Sequence, residues 1–234
     1  MQSENKLSLP IAIAFAGILI AGSIMYGKVG TPTNNAAQIA EVAGDNTLDS
    51  LAAISDSDHV RGSRDADVFI VEYSDTECPF CKRLHDTLKQ VMTEYQAGGK
   101  VAWVYRHFPL DQLHSKARNE ALALECAAEL GGNDKFWQYT DRIYEITPAN
   151  DGLDPLELPK IAQYVGLDVV KFNECLASQR HMAKVDADLQ NAVATGGNGT
   201  PWSIIVAKDG TKYPLSGAQP YESIKQMIET ALSK

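Results

Sequence analysis

The pattern of apolar and polar positions divides the chain into an apolar start, a small-residue stretch and a long mixed region. Leu7 through Gly27 is 21 residues without a charge, long enough for a membrane-spanning helix. Lys6 precedes this run, Lys28 follows it, and the next basic residue is Arg61. That asymmetry places the amino end inside and the rest outside. A cleaved signal peptide ending at Ala21-Gly22-Ser23 is the competing reading, although the apolar run continues through Ile24, Met25 and Tyr26. Either way the bulk of the chain is extracytoplasmic. It is anchored in the cell membrane by a single pass if the segment stays, and secreted or periplasmic if it is removed. Residues 1–28 are therefore expected to be an anchor or signal, and residues 29–57, rich in Gly, Pro, Asn and Ala, a flexible stalk.

From residue 58 the pattern is that of a folded domain. Val68–Tyr73 (VFIVEY) is a short, nearly continuous apolar run, as expected of a strand buried on both faces. A helix should run from Pro79 to about Ala97, since Leu84, Leu88, Val91, Met92 and Tyr95 repeat at helical spacing and Gly98-Gly99 supplies a stop. Lys100–His107 reads as a second strand, completing a β–α–β unit.

The period then changes. Helical stretches are expected at Ser115–Leu130, ended by Gly131-Gly132, and at Phe136–Tyr144, Leu156–Val165, Val169–Ser178 and Met182–Ala194, with Asp168 capping the fourth. Strand patterns return at Trp202–Ala207 and Thr211–Leu215. Lys208-Asp209-Gly210 between them is a hairpin signal. An amphipathic helix on Ile224, Met227, Ile228 and Leu232 closes the chain. The expected class is α/β, with a helical insert at about 110–195 inside a domain spanning 58–234.

Composition narrows the function. Four cysteines in 234 residues are too few for a disulfide-built miniprotein. A net charge of −9 argues against nucleic acid as a partner, because phosphate binding needs clustered Lys and Arg.

The chemistry concentrates at Thr76-Glu77-Cys78-Pro79-Phe80-Cys81, where the first strand meets the first long helix. Two cysteines separated by two residues at a helix start can bridge, and the helix terminus stabilises a thiolate on the first. Cys78 is thus expected to be the exposed nucleophile of low pKa and Cys81 its buried partner. Pro79 suits the first helical position, and Phe80 contributes no positive charge. The same spacing occurs in zinc sites. Cys126 and Cys175 stand alone, however, and the five histidines form no HxxxH-type pair, so redox chemistry is expected and no metal. His85 is read as a solvated helix position. His59, His107, His114 and His181 show no partners in the sequence, and Trp103, Trp137 and Trp202 are read as core or groove residues.

FIVEYSDTECPFC at 69–81, RHFPL at 106–110, FWQYTDRIY at 136–144, GLDVVKFNECL at 166–176 and GTP at 199–201 occur in one order. Together they resemble the DsbA-like thiol–disulfide oxidoreductases of the thioredoxin superfamily, over about Asp58 to Leu232. The resemblance implies a thioredoxin-like fold interrupted by a helical domain, here behind an N-terminal transmembrane helix. It implies that Thr200 and Pro201 form the cis-proline loop facing the active-site disulfide, where substrate backbone pairs as an added strand. The alternative is a loop proline that merely starts the next strand. It also marks Glu72, six residues before Cys78, as the buried acid beneath the disulfide and a proton-relay candidate; a strand-end glutamate reaching solvent is the alternative. Cys126 and Cys175 match a cysteine pair frequent in this branch, implying a structural disulfide, with two free thiols or a second redox pair as the other options.

The expected reaction is dithiol–disulfide exchange on exported protein thiols or disulfides. It needs no bound cofactor, only a redox partner that resets the Cys78–Cys81 pair, and a monomer is expected. Direction is contested within the sequence. The helix terminus favours the thiolate, which makes the disulfide oxidising. Glu72, Asp75 and Glu77 oppose it. A disulfide-forming oxidase is the expectation. A reductase is the alternative, together with an isomerase, whose relatives usually carry a preceding dimerisation domain, and a membrane-tethered metal-binding protein.

Overall fold

A computed structural model describes residues 46–234, and the expected transmembrane or signal segment lies outside the described residues. Among the described residues no helix is long and apolar enough to cross a membrane. The strands are β1 (His59–Arg61), β2 (Val68–Ser74), β3 (Val101–His107), β4 (Trp202–Val206) and β5 (Lys212–Ser216). They form one sheet in the order β1-β3-β2-β4-β5. The helices are α1 (Pro79–Tyr95), α2 (Ala117–Ile146), α3 (Glu157–Tyr164), α4 (Val169–Ser178), α5 (Met182–Ala194) and α6 (Tyr221–Leu232).

β2 and β3 pair in parallel, Val68 opposite Val101 and Ser74 opposite His107, joined by α1 as the crossover. β4 pairs antiparallel with β2 and β5 with β4. This is the β–α–β, helices, β–β–α order expected from the periodicity.

Successive strand residues face opposite sides, and the two faces feed separate cores. Ile70, Trp103, Tyr105 and Ile205 pack with Leu84, Leu88 and Met92 of α1 and Ile224 and Ile228 of α6. Val71, Tyr73, Val104 and Ile204 pack with Leu48, Phe108 and Ala192. All seven residues of β3 are buried, which is why β2 and β3 read as continuous apolar runs rather than alternating ones.

Several expectations are corrected. The stretch expected as stalk up to residue 57 is partly structured. Asn46–Ser50 forms a 3-10 turn whose Leu48 is buried. The Ala52 N–H donates to Asn191 Oδ1 at 3.1 Å, and Asn191 Nδ2 donates to the Ser50 carbonyl at 2.7 Å. The pairing β1 of His59–Arg61 with β3 was not anticipated. Gly131-Gly132 does separate two helical stretches, as expected: α2 is broken there, with Gly132 at φ 71°, ψ −168°, a kink that a residue without a side chain accommodates. The insert is not wholly apart from the core, since Ala192 of α5 joins the apolar cluster beneath β3. Asp168 caps α4 as expected, accepting from the N–H groups of Val170 and Lys171.

Candidate active site

Pro79 opens α1, so Cys78 stands at the turn before it and Cys81 in its first turn. The turn closes locally: the Cys78 N–H donates to the Asp75 carbonyl at 3.1 Å, and the Asp75 N–H points at Cys81 Sγ at 3.4 Å. Both cysteines are free thiols here. Cys81 is inaccessible. Cys78, expected to be exposed, is only 4 % exposed, because its thiol lies against the loop before β4, with Sγ 3.5 Å from the Thr200 carbonyl oxygen. Phe80, between them, is 52 % exposed.

The two thiols are split in acidity. A hydrogen bond from the Cys81 thiol, helped by the Thr200 side chain and the N–H groups of Cys81 and Phe80, outweighs burial and brings Cys78 down to about 6. Burial, that same hydrogen bond, and the charges of Cys78 and Glu72 push Cys81 well above an ordinary thiol. A nucleophile ionised at neutral pH therefore sits beside a partner that holds its proton.

The Thr200–Pro201 peptide bond is cis. Pro201 is buried, and its carbonyl accepts from the Gly217 N–H at 3.0 Å.

Glu72 does not reach solvent. It is fully buried on β2 and accepts from Ser74 Oγ at 2.7 Å and Trp103 Nε1 at 2.8 Å. Burial outweighs these neutral donors and raises it to about 7. Ser74 continues the network to the Tyr144 hydroxyl at 2.9 Å, and Tyr144 approaches Tyr105 at 3.3 Å.

Sequence reasoning named Asp75 only as a charge opposing the thiolate and missed its partners and the histidine pairs. Asp75 is buried and accepts from the N–H groups of Glu77 and Leu110, each at 2.8 Å, and from His114 Nδ1 at 2.9 Å. Burial still raises its pKa. Burial works against a charged His114, but the Asp75 carboxylate outweighs it, so the ring's pKa is raised, and the Cys78 charge adds to this. His85 is not solvated. It is buried, with Nε2 2.8 Å from Asp141 Oδ1 and its ring stacked 4.5 Å from Tyr144. His59 and His107 both reach Glu125 Oε1 at 2.8 Å. Each pair joins different elements, 18 to 66 residues apart in the chain, so local spacing carries no signal for it.

In the insert, Cys126 of α2 and Cys175 of α4 are joined by a disulfide with Cα atoms 5.8 Å apart. Both residues are 1 % exposed.

Residues 55–230 match the family model described as Thioredoxin. Among solved structures, Pseudomonas aeruginosa DsbA2 superposes with a TM-score of 0.64 at 26 % identity, covering 78 % of this chain and 98 % of that one. Bacillus subtilis BdbD superposes at 0.65 with 24 % identity, covering 76 % and 94 %. The chain belongs to the thioredoxin family, as a DsbA-like member of the thiol–disulfide oxidoreductase class. In sequence it is also 34 % identical over 160 residues to Na(+)/H(+) antiporter NhaA 3 of Salinispora tropica, a match covering 68 % of this chain but 23 % of that protein. The chain spans less than a quarter of the length of the antiporter relatives it matches.

Proposed function

We propose that this chain forms disulfides in exported proteins by dithiol–disulfide exchange through Cys78 and Cys81, on the extracytoplasmic side of the membrane. The observation that carries this reading is the split between the thiols: the reduced state is stabilised because Cys78 can remain a thiolate, and a stabilised dithiol makes its disulfide the better oxidant.

In the oxidised enzyme a substrate thiolate attacks Cys78 Sγ, the Cys78–Cys81 bond breaks, and Cys81 leaves with the electron pair. Cys81 then takes up a proton, in this reading from Glu72, whose titration near neutrality and whose charge acting on Cys81 support the role. The second substrate thiolate attacks the substrate sulfur of the mixed disulfide and expels Cys78 as a thiolate. One substrate disulfide and one enzyme dithiol result, and an external oxidant restores the pair. Thr200 and Pro201, against Cys78, offer the backbone on which an extended substrate segment pairs. The antiporter relatives match over a domain-sized part of their length, so no ion transport is carried over to this chain.

The test is the reduction potential of the Cys78–Cys81 pair in glutathione buffers. The oxidase reading expects a value more oxidising than about −200 mV, and one near −270 mV, as in thioredoxin, replaces it with a reductase. Cys78→Ser should abolish exchange with a dithiol peptide; retained exchange removes Cys78 from the mechanism.

A further inference from the structure

Glu77 immediately precedes the nucleophile, and it is 0 % exposed. Glu120, in the first turn of α2, is 2 % exposed. The two carboxyl groups lie within hydrogen-bonding reach of each other across the junction between the CPFC turn and the helical insert.

Their surroundings offer Glu77 one amide and Glu120 the Thr76 side chain, and neither a cation. Glu77 Oε1 accepts a long hydrogen bond from the Leu153 N–H at 3.4 Å, while its main-chain carbonyl accepts from the Asn150 N–H at 2.7 Å. Glu77 Oε2 and Glu120 Oε2 are both sealed from solvent without a hydrogen-bond partner. Among the described residues neither carboxyl has an ion pair with Lys, Arg or His. The ionisable groups acting on Glu120 are Glu77 and Asp75 of the same turn, and Tyr139 further along α2 feels the Glu120 charge; His114, on the loop before α2, pairs with Asp75 and is acted on by Cys78 and Asp151.

Two ionised carboxylates in contact, buried and without a cation, are prohibitively costly. One proton between them turns two orphan acceptors into a donor and an acceptor. Burial first, then the hydrogen bond to Glu77 and the charges of Glu77 and Asp75, push Glu120 up to about 9 against the opposing hydrogen bond of Thr76.

We propose that Glu77 and Glu120 hold a single proton between them, and that this bond positions the CPFC turn against the helical insert. Its catalytic consequence rests on the exchange reading above. The pair carries one negative charge rather than two while Cys78 is a thiolate, and the residue before the nucleophile is pinned to α2. Both are positioning residues, since neither touches a reacting atom.

The direct test is isotope-edited infrared spectroscopy of the full chain, labelled with 13C-glutamate and carrying Glu72→Gln to remove the other buried glutamic acid of raised pKa. A protonated-carboxyl band should be present at neutral pH, fade in the alkaline range, and disappear in the additional Glu120→Gln variant. Absence of the band at neutral pH, or a band unchanged by Glu120→Gln, overturns the proposal.

A second readout is thermal stability against pH. A carboxyl whose folded pKa lies above its unfolded value contributes stability that is fully present below about 4.5 and lost as pH rises toward about 9. Glu120→Gln keeps a hydrogen-bond donor and has no such loss. Its Tm relative to the parent should therefore rise by a few degrees across that window, whereas Glu120→Ala stays below the parent throughout. A difference flat in pH overturns the proposal. Exchange activity is followed in parallel. If exchange is absent while the band behaves as described, the exchange reading falls and the shared proton stands; if exchange is intact without the band, the reverse holds.

Discussion

Two sets of buried or half-buried acids in this protein have opposite proton affinities. Asp58, Glu125 and Asp141 are held below the usual carboxylate range. Burial opposes the charge in each, but Arg106 outweighs it at Asp58, His107 and His59 at Glu125, and His85 with Arg61 at Asp141. Glu72, Asp75 and Glu120 are raised, because burial meets neutral donors at Glu72, a histidine and two amides at Asp75, and another acid at Glu120. Burial alone therefore does not decide the sign; the partner does. Among the described residues no Lys or Arg pairs with Glu72, Asp75, Glu77 or Glu120, and the acids around the CPFC turn are left holding or exchanging protons. That suits a site where a thiol must gain and lose one. It is also where buried charge is least compensated, so stability and chemistry are in tension there.

The largest effect should come from breaking a pair in the first set. Arg106 donates to Asp58 Oδ1 at 2.8 Å and Oδ2 at 3.1 Å, and also to the Ala52 and Ala53 carbonyls and the Tyr73 hydroxyl. Arg106→Met leaves Asp58 buried without its counter-charge and should cost about 3–5 kcal/mol in urea unfolding at neutral pH. A cost under about 1 kcal/mol would mean that pairing does not govern this set.

Removing the disulfide carries the same contrast to the cysteines, one pair poised to react and the other locked. The double variant Cys126→Ala/Cys175→Ala should lose about 2–4 kcal/mol of stability, in line with a cross-link closing a long loop. The Cys78 titration, followed by thiolate absorbance, should stay near 6. A shift of a full pH unit would tie the two pairs together.

The smallest effect is a slope. Glu72 has a folded pKa of about 7 against 4.5, so its contribution to stability is fully present below about pH 4.5 and is lost as pH rises to about 7. Glu72→Gln sacrifices part of the bonding to Ser74 and Trp103 at every pH but escapes that loss. Relative to the parent it should gain on the order of 1–3 kcal/mol between those limits. The acids of the first set slope the other way: their contribution is present at neutral pH and is lost as pH falls below the carboxylate range. A Glu72→Gln difference that does not vary with pH would remove Glu72 from the second set.

Where a signal is local, the sequence carried it. α4 and α5 run as expected at Val169–Ser178 and Met182–Ala194, because amphipathic periodicity and an Asp168 cap are written within a dozen residues. The hairpin at Lys208-Asp209-Gly210 is equally local, and Gly210 takes the positive φ of 86° that its turn needs. β1 was missed because three residues carry no period. Packing of residues 46–57 was missed because Asn191 and Arg106, which fasten that segment, are distant in the chain. The stop at Gly131-Gly132 is local too: Gly132 leaves the helical region at φ 71° and breaks α2 into two helical stretches there.

The sequence by itself determined the element order, the reactive cysteine pair at a helix start, the proline of the facing loop and the family these define, since each depends on residue identity at short spacing. Tertiary structure decided the proton chemistry. His59, His107 and His114 appear idle along the chain and become the partners of Glu125 and Asp75. Glu77, read in sequence only as a charge opposing the thiolate, meets a second acid in the insert. A pKa is set by what lies within a few ångströms in space, and the chain brings those neighbours together only when it folds.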